Sequence, residues 1–176
     1  MGGPVRDPRG AVRGARDGSA PALDELFKAH WPAAHRAAYL IVHDSAAAED
    51  IAQESFLAAV RALDRFDRKR PFGPWLHRIV VNRAIDWTRS RALRSEVRED
   101  AAVPATDEAR DSEAPTIVAA LAGLSPEHRA VIVLRHLLDY SPGEIADLLE
   151  LPRGTVNSRL RRGLDQLRDA IDEELR

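Results

Sequence analysis

The stretch Glu144–Leu164, EIADLLELPRGTVNSRLRRGL, decides how the rest of the chain is read. It sets a short apolar helix ahead of a helix studded with arginine, with a tight break around Glu150–Pro152. Ile145, Ala146 and Leu149 fall on one face of the first helix, and Val156 and Leu160 on one face of the second. Ala146 is small where the two helices must approach. Pro152 can open the second helix because its missing N–H would be unpaired there anyway. The outward polar positions are Arg153, Thr155, Asn157, Ser158, Arg161 and Arg162. Arg can fork onto guanine and Asn onto adenine, so this stripe is suited to base edges in a major groove. The pattern predicts a helix-turn-helix. The turn has no glycine, so the residues alone also admit an ordinary helical hairpin.

A helix-turn-helix that grips DNA unaided usually carries a strong basic excess. This chain of 176 residues has a formal net charge of -2. The charges are unevenly spread, however. Between Arg61 and Arg91 stand Arg61, Arg65, Arg68, Lys69, Arg70, Arg78, Arg83, Arg89 and Arg91, opposed only by Asp64, Asp67 and Asp86. The last helix carries a second basic group, Arg153, Arg159, Arg161, Arg162 and Arg168. The balancing acids lie in Asp44, Glu49, Asp50 and Glu54 and in an acidic segment near the middle of the chain. The near-neutral total therefore hides two basic patches, each able to meet phosphates.

Working outward, the chain predicts helices and no strands. Ser141-Pro142 and Ser125-Pro126 both read as a capping serine followed by a first-turn proline. Val156, Leu160, Leu164, Leu167 and Ile171 predict a buried stripe on the last helix. Upstream, residues 95–114 are acidic, poor in large apolar groups and broken by Pro104, which predicts a flexible linker. Residues 21–94 predict a first helical domain. Ser19 is a candidate cap for its opening helix, and Pro32 marks a kink or a second start. Asp44 or Ser45 caps the next helix, whose inward face is Ala52, Ser55, Phe56, Ala59, Val60 and Leu63. Pro71 and Gly73 mark a loop. The following helix turns Leu76, Ile79, Val80, Ala84 and Trp87 inward. Residues 1–20, rich in Gly, Pro, Arg and Asp, predict a disordered tail, and 115–176 the second domain.

Taken together, AEDIAQESFLAAVRALDRFD, RPFGPWLHRIVVNRAIDWTR and LSPEHRAVIVLRHLLDYSPGEIADLLELPRGTVNSRLRRGLDQLR, in this order and with a linker, strongly resemble a bacterial sigma factor. The resemblance is to the small extracytoplasmic-function (ECF) group, which keeps only sigma domains two and four. It spans about Leu23 to Arg168. It implies an all-α chain that rides on core RNA polymerase and selects promoters, which answers the charge question: polymerase holds the DNA with it. It implies that Asp50, Gln53 and Glu54 dock on the polymerase clamp. It implies that domain two melts and reads the minus-ten element through Phe66, Arg68, Lys69, Arg70, Phe72, Trp75, Arg78 and Asn82. A loop from Phe66 to Phe72 would accept a flipped base, a step that unstacks DNA unless a pocket receives the base. Trp75 reads mainly as core packing. Domain four would set Arg153, Thr155, Asn157, Ser158, Arg161 and Arg162 in the major groove at the minus-thirty-five element. The resemblance also implies an anti-sigma factor as partner. Two positions depart from the family: Asn157 stands where many members have Arg or Lys, and His77 where many have Tyr.

No cysteine is present, so neither a disulfide nor a thiolate metal site can form. The six histidines show no metal spacing and read as surface or rim residues, and no nucleophile motif or phosphate loop is found, so no metal, cofactor or catalytic set is expected. The chain shows no apolar run long enough to span a bilayer and no signal-peptide core, which predicts a cytoplasmic protein without membrane insertion. The competing reading is a stand-alone helix-turn-helix regulator. It predicts tight duplex binding by the isolated chain, where the sigma reading predicts weak binding until core polymerase is added.

Overall fold

A computed structural model describes residues 8–67, 69–97 and 115–174. The described residues form helices joined by short turns, with no strand among them: α1 Pro8–Arg16, α2 Ala20–Val42, α3 Ser45–Arg61, a 3-10 turn Leu63–Arg65, α4 Phe72–Val97, α5 Pro115–Ala122, α6 Pro126–His136, α7 Pro142–Leu149 and α8 Arg153–Glu174. In the first unit α2, α3 and α4 pack on one another, and α1 lies on α2 and the 3-10 turn. In the second, α8 is packed by α5, α6 and α7.

Local chemistry sets most boundaries. Ser19, Asp44, Ser125 and Ser141 each accept a backbone N–H at a helix start. Ser141 and Glu144 close a full capping box, with Glu144 Oε2 accepting the Ser141 N–H at 2.8 Å. Those hydrogen bonds hold the Glu144 carboxyl below its usual range. Among the described residues, three turns use left-handed residues that are not glycine: His43, Asp139 and Glu150. Glu150, at φ 54°, ends α7, and its N–H is donated to the Ala146 carbonyl. The helix-turn-helix break is thus made without the glycine usually found there.

Several expectations change. Residues 8–16 are not disordered: α1 buries Ala11, Val12 and Ala15. Gly14 lets it come close, since a Cβ there would stand 2.8 Å from the Ala22 Cβ. The rest of the expected tail before Pro8 lies outside the described residues. α2 runs unbroken through Pro32, so no second helix starts there. α4 continues to Val97, and the remainder of the expected linker, 98–114, lies outside the described residues. On α8, Leu164 is 36% exposed, while Gly163 is buried against Ile132. The stripe therefore opens at its middle. His77 is buried rather than at the rim.

The two units are not beads on a string. α5 and α6 pack on α2, and α6 and α7 on α4, so one continuous buried cluster runs from Ala11 to Leu160. Arg129, itself 5% exposed, sits in this seam. Its guanidinium donates to the carbonyls of Leu121 (2.8 Å), Ala122 (2.7 Å) and Leu124 (2.8 Å) at the end of α5, and to Ile41 of α2. A planar fork of five donors can satisfy such a set, and a cation suits the negative ends of two helices.

Candidate nucleic-acid and polymerase interfaces

The acidic face of α3 follows from its register. Ala48, Ile51, Ala52, Ser55, Phe56 and Ala59 are buried, which leaves Glu49, Asp50, Gln53, Glu54 and Leu57 exposed on the other side. The Gln53 amide donates to Glu49 Oε1 at 3.0 Å, and Arg83 of α4 pairs with Glu54 at 2.7 Å. Asp50, Gln53 and Glu54 thus share one open face, with Glu54 partly neutralised. Leu57, 51% exposed, lies on the same stripe. It was missed because a leucine beside Phe56 reads as core.

The expected minus-ten residues divide into two sets. Phe66 and Phe72 are buried, at 8% and 3% exposure, and do not present their rings to the surface. Phe66 lies 4.6 Å from Trp75 and 6.0 Å from Phe72, centroid to centroid, and Phe72 also meets Phe56. An aromatic cluster in the 4.5–7 Å range gains beyond its buried area. These rings therefore hold the loop from beneath, and Trp75, half-buried, joins them. Above them Lys69 and Arg70 are exposed, and their backbone amides are held by Asp67: Lys69 N–H to Oδ1 at 2.9 Å and Arg70 N–H to its carbonyl at 2.9 Å. Arg68 lies outside the described residues. Asn82 is exposed on α4. Arg78, one turn earlier, is engaged by Glu150 at 2.6 Å.

On α8, Val156 and Leu160 are buried, which turns Arg153, Asn157 and Arg161 outward in register. Arg162 is also exposed. Thr155 and Ser158 are half-buried, and the Ser158 hydroxyl donates to the Thr155 carbonyl at 2.9 Å. The six residues are brought to the first three turns of one helix, and the three with the most reach are open.

Histidine is the group that sequence reasoning placed least well. His77 Nδ1 is hydrogen-bonded to the Tyr140 hydroxyl at 2.7 Å. Burial, then the charge of His30, lowers its pKa to about 4, so the ring is neutral at ordinary pH. Among the described residues no group of three His, Asp or Glu could hold a metal ion, and no helix is long and apolar enough to cross a membrane.

Comparison with known proteins places the same two blocks. Residues 26–94 match the Sigma-70 region 2 family and residues 116–167 the Sigma-70 region 4 family. The RNA polymerase sigma factor CarQ of Myxococcus xanthus is 34% identical, over 90% of this chain and 94% of its own length. The ECF sigma factor SigL of Mycobacterium tuberculosis is 33% identical, over 92% and 96%. The solved structure of CnrH in complex with the cytosolic domain of CnrY is similar with a TM-score of 0.72 and 30% identity, over 94% of this chain and 97% of that one. A stand-alone regulator would need only the second block, whereas here both are present in order. The chain belongs to the ECF RNA polymerase sigma factors, the promoter-specificity subunits of bacterial RNA polymerase.

Proposed function

We propose how this sigma factor divides its work among its faces. Asp50, Gln53 and Glu54 on α3, joined by Leu57, form the contact with core polymerase. Lys69, Arg70, Arg78 and Asn82 engage the minus-ten element, with Arg68 on the same loop, while Phe66, Phe72 and Trp75 position that loop. Arg153, Asn157, Arg161 and Arg162 engage the minus-thirty-five element, with Thr155 and Ser158 shaping the start of α8. The observation that carries this division is that the acidic face, the basic loop and the outward stripe of α8 are each exposed while an apolar face beneath each is buried.

An anti-sigma factor is the further partner we propose, and we place the protein with polymerase in the cytoplasm. An apolar groove of about 370 Å³ between α2, α5, α6 and α8, lined by Leu40, Leu121, Ile132, Leu137, Leu164 and Leu167, supports it. The complex of the relative CnrH with CnrY supports it as well.

Charge reversal separates the faces. Asp50→Lys should weaken binding to core polymerase at least tenfold and leave binding to an upstream duplex unchanged. Arg161→Ala should do the reverse, losing about 1–3 kcal/mol on the preferred upstream sequence and less on others. Equal loss on every duplex would make Arg161 a phosphate contact, and unchanged polymerase affinity for Asp50→Lys would remove α3 from the interface.

A further inference from the structure

We infer that α1 is a positioning element for promoter reading: through Arg16 and Asp64 it holds the root of the basic loop that carries Lys69 and Arg70, so that the loop meets the minus-ten strand in one preset shape. The inference rests on the minus-ten assignment proposed above. α1 itself lies ahead of residue 26, where the match to Sigma-70 region 2 begins.

A nine-residue helix is too short to persist alone in water. The place of α1 is built by the corner that joins it to α2. Gly18 turns the chain in the left-handed region, at φ 83°. Its N–H donates to the Ala15 carbonyl at 3.1 Å, and the Ser19 N–H donates to the Gly14 carbonyl at 2.9 Å. That pair of bonds closes α1 in a Schellman cap. The Ser19 hydroxyl then accepts the Ala22 N–H and opens α2. One serine so ends one helix and starts the next, while Gly14 lets the two meet at Ala22. The corner acts as a bracket that leaves α1 little freedom against α2.

The basic loop is referred to this bracket at both of its roots. At the first, Arg16 Nε donates to Asp64 Oδ1 at 3.1 Å, in the 3-10 turn that α1 packs against. On either side of Asp64, Leu63 and Phe66 are buried, and the Phe66 N–H donates to the Leu63 carbonyl at 3.2 Å. Asp67 follows at once and takes the Lys69 and Arg70 amides. At the second root, Phe72 opens α4 against His30 of α2, with the rings 5.1 Å apart. Gly73 lies so close that a Cβ there would stand 3.3 Å from the His30 ring. A shift of α1 on α2 therefore moves one root of the loop relative to the other.

The Arg16–Asp64 pair is open to solvent, with Asp64 80% exposed, and pairs of that kind add little stability. What it fixes is position. A loop that receives an unstacked base gains when its shape is set before the strand arrives, because less ordering is left to oppose binding. The bland alternative makes Arg16 one more positive charge near DNA. The two accounts differ in sign at Asp64. Exchanging this acid for a base tightens DNA binding if only the field matters, and weakens it if the acid holds the loop in place.

The test uses holoenzyme, core polymerase with the whole chain, and two probes. One is a fork-junction DNA whose single strand carries the minus-ten element, and the other is a duplex carrying the minus-thirty-five element alone. Asp64→Arg and Arg16→Asp should each weaken fork binding by about fivefold or more. The double variant Arg16→Asp/Asp64→Arg keeps the net charge and restores the pair in reverse, so fork binding should return to within about twofold of the wild type. Affinity for core polymerase and for the upstream duplex should stay unchanged in all three. Unchanged or tighter fork binding by Asp64→Arg would overturn the inference. So would a double variant that recovers nothing, or equal losses on the upstream duplex and on core polymerase, which mark general damage to domain two. As a second measurement, Gly14→Val loosens α1 while leaving Arg16 and Asp64 in place, and should weaken fork binding alone; faster amide exchange in α1 with fork binding unchanged would overturn the inference. Lys69→Ala and Asn82→Ala are measured beside these. If they leave fork binding unchanged, the minus-ten assignment fails and the inference with it. If they weaken it while the Arg16 and Asp64 variants do not, the inference fails alone.

Discussion

Replacing Arg129 with methionine tests the packing logic most severely. Methionine keeps most of the length and removes the charge and every donor. Four carbonyls, on Leu121, Ala122, Leu124 and Ile41, then lose their partner in a region where Arg129 is 5% exposed. A hydrogen bond to a charged group contributes about 1.5–3 kcal/mol net, so four would suggest more than 6 kcal/mol. That sum is too large, because burying the guanidinium opposes it. Burial also lowers the Arg129 pKa to about 10, still charged at neutral pH. Each buried carbonyl left without a donor costs about 1–3 kcal/mol, and the relieved desolvation of the guanidinium offsets part of the total, so we take about 4 kcal/mol. For a chain of this size each kcal/mol moves the melting temperature about 2–4 °C, so Arg129→Met should melt about 8–16 °C lower. Scanning calorimetry at pH 7 reads this directly. Arg129→Lys, which keeps the charge without the fork, should lose about half as much. The wild-type chain, with one core through both units, should melt in one transition, and Arg129→Met should begin to divide it in two. A fall of less than 3 °C for Arg129→Met would mean that the carbonyls find other donors, and the reasoning about the seam's buried cation would be refuted.

Three further outcomes follow from the same physics. Gly14→Val drives a side chain into Ala22, which has no flexible end to yield, so α1 should loosen by about 1–3 kcal/mol and its amides exchange about 5- to 150-fold faster; unchanged exchange over residues 8–16 would contradict the docking of α1. His77 takes a proton at about 6.5 when unfolded and only at about 4 when folded, so the unfolded chain binds more protons between those values and stability falls as pH drops from 6.5 toward 4, by an amount on the order of 3 kcal/mol from this group. His43, lowered to about 4 by burial and by Arg129, adds a change of the same sign. Urea midpoints at pH 7 and pH 5 measure the slope, and His77→Phe, which cannot protonate, should make it shallower; an equal slope would clear His77 of the effect. Asn82→Ala should change the preferred minus-ten sequence in competition transcription while leaving polymerase affinity intact; loss of both would mean a damaged fold rather than a lost base contact.

What the sequence made legible was local. The serine and aspartate caps, the apolar register of α3 and α4 and the outward stripe of α8 all follow from side chains within a few residues of one another. What it hid was tertiary. α1 has only Ala11, Val12 and Ala15 to bury among glycines and arginines, a composition that favours disorder until α2 offers a surface. The seam was hidden for a related reason. Arg78, Arg89, Glu127 and Glu150 look like solvated charges until the fold pairs Arg89 with Glu127 and Arg78 with Glu150, each across more than thirty residues. Phe66 and Phe72 show the limit in the other direction: a resemblance marks the loop, but only packing reveals that its rings lie beneath the surface.

The most direct test of the central claim is run-off transcription from a promoter library with purified bacterial core polymerase, with and without this protein. The account predicts start sites that appear only when the protein is added, preceded by two shared upstream elements. No added start sites, together with tight duplex binding by the isolated chain, would contradict it.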